Sequence, residues 1–223
     1  MKTTFWKLFP LLLAVALLLS LTACGAPSPD TSAQPQPEEP PAEAVRQSVE
    51  ESAAPEEIET APSATGKDVL VVVFSATGTT KGVAEKIAAL EDADLYEITA
   101  AQAYTSDDLN WHDNSSRTTL EQNDKSARPE IGSDPISLAG YTTVYIGYPI
   151  WWGEEPRIMD TFVENHSFDG ITVIPFCTSG GSGIGRSGQN LAENAGSGNW
   201  LAGQRFSGNV SEDDLRAWID GLE

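Results

Sequence analysis

The chain is poor in residues that build covalent or metal-bound scaffolds: 2 cysteines, 2 histidines and 2 methionines occur in 223 residues. Cys24 closes an N-terminal apolar run, which leaves Cys177 as the one thiol of the later chain and excludes an internal disulfide there. A cysteine-ligated zinc or iron–sulfur site is excluded by the same count, and His112 and His166 share no metal-ligand spacing, so no metal site is expected. Positive charge is also scarce, with 13 Lys and Arg against 33 Asp and Glu for a net charge of −20. So acidic a chain argues against nucleic acid as a partner and against electrostatic adhesion to anionic lipid. Long apolar runs are missing: "LLLAVALLLSL" at 11–21 is too short for an ordinary membrane span.

What stands at the N-terminus is more informative. Lys2 and Lys7 precede the apolar run and "LTAC" ends it, which reads as a secretory signal over 1–23. "LTAC" at 21–24 resembles the bacterial lipobox, and that resemblance implies that Cys24 is lipidated and becomes the first mature residue. Without a twin arginine, export by the general secretory route is expected. After Cys24, residues 25–66 hold eight prolines, nine carboxylates and Arg46 as the only base, with almost no large apolar side chain. Such a segment cannot bury enough surface to offset its own ordering entropy, so 24–66 is expected to be a disordered tether. It would hold a domain of residues 67–223, with 24 carboxylates and 10 Lys and Arg, at the extracytoplasmic face of the cell membrane.

Within 67–223, hydrophobic periodicity predicts strands at 68–74, 94–98, 142–148, 171–177 and 201–206. Helices are predicted at 79–90, near 114–124, at 156–165 from Pro156, around 184–195, and at 211–222 from Ser211. Central strands that are apolar throughout, alternating with helices, indicate a parallel sheet covered on both faces. Ligands of such sheets bind beyond the carboxyl ends of the strands.

Three loops follow strands at that edge. The first, "SATGTT", offers Ser75, Ala76, Thr77, Gly78, Thr79 and Thr80 between a strand and a helix. Helix-initial N–H groups have no partner within the helix, and the dipole favours an anion there. No G-x-x-x-x-G-K-[ST] pattern is present, so the donors are backbone N–H groups and hydroxyls, which suits a terminal monophosphate needing no magnesium. Lys81 is expected to be an ordinary solvated charge. The second loop, Pro149, Ile150, Trp151, Trp152 and Gly153, supplies broad apolar faces for a flat ring. The third, "TSGGSGIGRSG", allows close backbone approach at Thr178, Ser179, Gly180, Gly181 and Gly183.

The S/T-x-T-G-x-T segment that opens a helix after a strand, with the two later loops, resembles the flavodoxins, and "GYPIWWGEEPRIMDTFVE" is similar to an exported or lipid-anchored bacterial group among them. The resemblance spans essentially all of 67–223 and implies a doubly wound, five-stranded parallel sheet of order 2-1-3-4-5 with helices on both faces. It also implies flavin mononucleotide (FMN) as cofactor, its phosphate on 75–80 and its ring against a tryptophan, Trp151 by register. Thr79 stands where that family often has asparagine, and keeps a hydroxyl donor.

The resulting expectation is a membrane-tethered FMN protein that transfers electrons outside the cytoplasm, its redox donor and acceptor unspecified. The alternatives are an FMN-dependent NAD(P)H:quinone-type reductase and a non-catalytic binding module. No side chain is assigned a catalytic role. The G-x-G-x-x-G at 183–188 begins six residues past its strand, too late for a dinucleotide fingerprint, and "GGSGI" fails as a nucleophile elbow. Cys177 reads as a small core residue. The polar stretch 107–131, with Trp111, His112 and Arg117, is long enough either to border the site as a lid or to be a surface helix with a long approach. Glu154 and Glu155, beside the tryptophans, are read either as solvated helix-starting charges or as modifiers of the ring's charge.

Overall fold

A computed structural model describes residues 65–222. The signal at 1–23, Cys24 and the tether to residue 64 lie outside the described residues. Thr65 already bonds into the domain, its hydroxyl donating to the Asp94 carboxylate at 2.7 Å. Among the described residues no helix is long and apolar enough to cross a membrane.

The elements are β1 (Val69–Phe74), α1 (Thr79–Leu90), β2 (Asp94–Ile98), α2 (Arg117–Asn123), β3 (Thr143–Pro149), α3 (Arg157–Glu164), β4 (Thr172–Thr178), α4 (Ser187–Ala195), β5 (Asn199–Trp200), β6 (Gln204–Phe206) and α5 (Glu212–Asp220). All pairings within the sheet are parallel, in the order β2-β1-β3-β4-β5, with β6 also on β4. The expected order 2-1-3-4-5 is therefore present. Strand alternation divides the apolar runs between two cores. Leu70, Val72, Val144, Ile146 and Tyr148 face Ile158, Met159 and Phe162 of α3 and Leu191 of α4. Val71, Val73 and Tyr145 face Val83 and Ile87 of α1 and Leu215 of α5. Gly147 belongs to the second face, where a Cβ would intrude on the Phe176 ring.

The fifth strand departs from expectation, because 201–206 is not one strand. It is split into β5 and β6, both on β4, which makes the sheet six-stranded. The cause lies in the neighbour. Asn199 N–H bonds Ile171 O and Leu201 N–H bonds Val173 O, so the ladder bonds of Ile171, Val173 and then Pro175 point toward this edge. Proline has no N–H to donate to the Leu201 carbonyl, and the ladder breaks there. Helix α4 starts at Ser187 rather than near 184, leaving Ile184 in the loop, where it packs at Gly203. Helix α2 starts at Arg117, after the Ser116 cap that accepts from Thr119 N–H.

Candidate functional site

The loop between β1 and α1 is ordered by its own hydroxyls. Gly78, at φ 82°, lets the chain turn into α1 with no side-chain cap. Ser75 Oγ accepts the Thr80 N–H at 3.1 Å, and the buried Thr80 hydroxyl pairs with that of Thr178 at 2.8 Å. Thr77 and Thr79 are exposed, with hydroxyls 3.4 Å apart. Among the described residues the N–H groups of Thr77, Gly78 and Thr79 have no partner, and they stand at the start of α1, where the helix dipole favours negative charge. Lys81 is not simply solvated, since it pairs with Glu97 at 2.6 Å.

The loop after β3 is a two-residue hairpin. Trp151 and Glu154 exchange both backbone bonds at 3.0 Å, and Trp152 (φ 51°) and Gly153 (φ 86°) form the turn. Two successive positive φ values are the type I′ geometry, which suits Gly and Asn and strains tryptophan. Trp152 is thereby presented at the tip, 45% exposed. Trp151 is half-buried, its ring met edge-on by Phe74 at 5.6 Å and by Tyr104 at 5.4 Å.

Beneath this hairpin lies a buried ionic cluster. Arg157 pairs with Glu154 at 2.6 Å, Asp160 at 3.3 Å and Glu155 at 3.6 Å. Asn190 donates to Glu155, Asn194 donates to Asp160, and the Gln122 amide donates to the carbonyls of both Trp151 and Glu155. Arg157 holds the Glu154 carboxyl below its usual range, whereas burial pushes Glu155 up to about 7 and raises Asp160. The reading of both glutamates as solvated charges is overturned for Glu155, which is 1% exposed. A carboxylate next in sequence to surface-seeking loop residues carries no mark of burial; α2, α3 and α4 close over it.

The third loop is braced from β6. Arg205 donates to Ser179 O at 2.7 Å and to Ser179 Oγ at 3.2 Å, and Ser179 Oγ bonds Ser182 O. Cβ atoms at Gly180 and Gly181 would meet nothing within 4 Å. Cys177 is fully buried, and burial pushes its thiol up to about 12, so it is an unreactive core group.

These loops border one cavity of about 740 Å³. Ser75, Ala76, Thr77, Thr79 and Thr80 line it from the first loop, and Pro149, Ile150, Trp151 and Trp152 from the second. Thr178, Ser179, Gly180 and Gly181 line it from the third. Gly78 and Gly153 shape their turns without lining it, and Gly183 lies beyond it. Sequence reasoning missed Ser182, Thr118 and Gly208 and did not resolve Leu109 and Trp111 within the long polar stretch. Gly208 carries no local signal: it matters because the methyl of Thr79 occupies the space a Cβ would need. Trp111 was legible as a large apolar residue with no helix or strand to bury it. Arg117 faces inward, bonding Glu121 at 2.6 Å and lying 4.0 Å over the Tyr104 ring. Among the described residues no group of three or more His, Cys, Asp or Glu is placed to hold a metal ion.

Residues 68–222 match the family model for flavodoxin. A protein assigned as a flavoprotein from Bacteroides uniformis ATCC 8492 is 44% identical, with 70% of this chain and 99% of that chain covered at a TM-score of 0.66. Its counterpart from Bacteroides eggerthii DSM 20697 is 47% identical over 70% of this chain and 97% of that one, also at 0.66. A flavoprotein from Lactobacillus acidophilus NCFM, solved in complex with FMN, is 24% identical, covers 69% of this chain and 99% of that one, and shares the fold at a TM-score of 0.52. No curated protein matches the chain.

Proposed function

From the premise that the chain belongs to the flavodoxin family, we propose that its domain binds FMN and works in electron transfer from a lipid tether outside the cytoplasm. The observation that carries the cofactor is the convergence of unpartnered N–H groups at 77–79, exposed tryptophan and small third-loop residues on one cavity. Its volume lies within the ~300–1,000 Å³ of ordinary ligand pockets. The residues fit the group. Thr77 and Thr79 hydroxyls and their N–H groups would hold the phosphate, and Gly180 and Gly181 admit the ring's polar edge. Trp152 offers a free face to the ring, in place of the Trp151 expected by register, whose ring already meets Phe74 and Tyr104. When bound, flavin supplies the capacity to take and give electrons; the protein supplies position and electrostatics.

The chain's own residues prepare the site. Thr80 spends its hydroxyl on Thr178 and so ties the first loop to the third. Gln122 and Arg157 hold the hairpin from below, which keeps the strained Trp152 in place. Titration with FMN and with riboflavin tests the placement: FMN is expected to bind far more tightly, and equal affinity for the two overturns it.

The tether rests on the lipobox-like "LTAC" and on the proline-rich acidic segment after it. Replacing Cys24→Ala is expected to release an intact protein from the membrane fraction. Retention of that variant would sink the anchoring proposal.

A further inference from the structure

Among the described residues, Arg205 is the only cation that bonds a residue of the cavity wall, and no lining side chain is itself charged. Lys81, Arg117, Lys125, Arg157 and Arg186, the other cations on or beside the bordering loops, each pair with a carboxylate. Arg205 has no acidic partner among the described residues, and its side-chain hydrogen bonds both go to Ser179. The guanidinium thus stands half-buried behind the third loop with its charge uncompensated. Strand register brings it there, since β6 sets Arg205 opposite Cys177, two residues before Ser179. The charge reaches that position: burial raises the Cys177 thiol, and Arg205 works against the rise. The bond to Ser179 O at 2.7 Å also orients a donor. A trans peptide is planar, with its C=O and the next N–H on opposite sides, so a Ser179 carbonyl turned to Arg205 sends the Gly180 N–H the other way. That N–H has no partner among the described residues, and Gly180 is part of the wall.

We propose that Arg205 raises the reduction potential of the bound flavin, chiefly by the charge it places behind Ser179 and Gly180. The proposal rests on the flavin reading above, which sets the ring's polar edge against Gly180 and Gly181. A ring that gains electrons gains negative charge along that edge, and a cation behind it binds the electron-rich form more tightly than the oxidised one. By linkage, that difference in affinity is the shift in potential. The chain as a whole is acidic, but salt screens its distant carboxylates beyond about 10 Å at 0.1 M, so a charge bonded to the wall outweighs them. Asp108, beside the wall residue Leu109, acts in the opposite sense, whereas Glu154 is neutralised by Arg157 and Lys125. Arg205 does not itself line the cavity, so it is a positioning residue that acts through the third loop.

Spectroelectrochemistry of the full-length, FMN-loaded protein tests this, with oxidised FMN affinity and apo thermal unfolding measured on every variant. Arg205→Gln can still donate to Ser179 but carries no charge. It is expected to lower the ratio of reduced to oxidised flavin affinity at least roughly tenfold, a fall of about 30 mV for a two-electron couple. Arg205→Lys keeps the charge, loses the planar fork and should recover most of that fall. Arg216→Gln makes the same change of charge on α5, away from the cavity wall, and should leave the ratio within about twofold of the parent. An unchanged potential in Arg205→Gln, an equal fall in Arg205→Lys, or an equal fall in Arg216→Gln overturns the proposal and leaves the flavin reading intact. Arg205→Met, which also removes the charge, takes the place of Arg205→Gln should that variant not fold. If neither folds, Arg205 holds the domain together rather than setting a potential, and the proposal falls. Failure of the parent protein to bind FMN brings down both.

Discussion

The loop at 75–80 and the hairpin at 149–155 border the same cavity but are held in opposite ways. The first is ordered by short-range chemistry: Ser75 caps Thr80 five residues on, Gly78 makes the turn, and only the Thr80–Thr178 bond reaches elsewhere. The hairpin holds a strained tryptophan at its tip and depends on Gln122, Arg157 and Asn190, drawn from three different helices. Neutral hydroxyls satisfy the first loop at little desolvation cost. The second rests on buried charge, in which Arg157 is the cation facing Glu154, Glu155 and Asp160, so its loss would leave carboxylates unpaired in the interior. The contrast teaches that a site can combine a locally specified anion cradle with a ring-binding loop whose shape is set from beneath.

The largest effect is expected from Arg157→Leu. It strands Glu155 and Asp160 in the interior, and a loss of about 3–5 kcal/mol in unfolding free energy is expected, together with weaker flavin binding. Denaturant unfolding of the apo protein measures it. A loss below 1 kcal/mol would mean that the cluster does not support the hairpin. Thr77→Ala is the counterpart in the first loop. It should weaken FMN by about 1.5–3 kcal/mol through a lost bond to a charged group, leaving apo stability and riboflavin affinity nearly unchanged.

Glu155→Gln sharpens the contrast through pH. Burial raises the folded-state value of Glu155 to about 7 from an ordinary 4.5, so the folded state holds the proton more tightly. Its contribution is then fully present below 4.5 and is lost as pH rises toward 7 and beyond. The variant, neutral throughout, should match the parent near pH 4.5 and exceed it above pH 7, by on the order of 1–3 kcal/mol. Unfolding curves at pH 5 and pH 8 decide; a constant difference between them would remove Glu155 as the titrating group. The smallest effect is expected from Trp152→Asn, because asparagine tolerates the left-handed backbone that tryptophan resists. Apo stability should rise by about 0.5–1 kcal/mol while flavin affinity falls, and thermal unfolding with a flavin titration separates the two.

The strand order 2-1-3-4-5 was legible only through the resemblance to the flavodoxins; the residues themselves carried the alternation of strands and helices, the parallel sheet and the three loops at one sheet edge. Each of those follows from period, from turn residues and from the orphan donors of a helix start, all of which are local. The glycine and hydroxyl pattern of 75–80 marked the anion cradle for the same reason. Tertiary structure alone decided the burial of Glu155, the break of the fifth strand opposite Pro175, the bracing of Ser179 by Arg205 and the place of Gly208 beside Thr79. Pro175 was visible in the chain, but which neighbour its missing N–H would face was not. Those outcomes depend on groups far apart in sequence, and desolvation and ladder bonding act only once packing has brought them together.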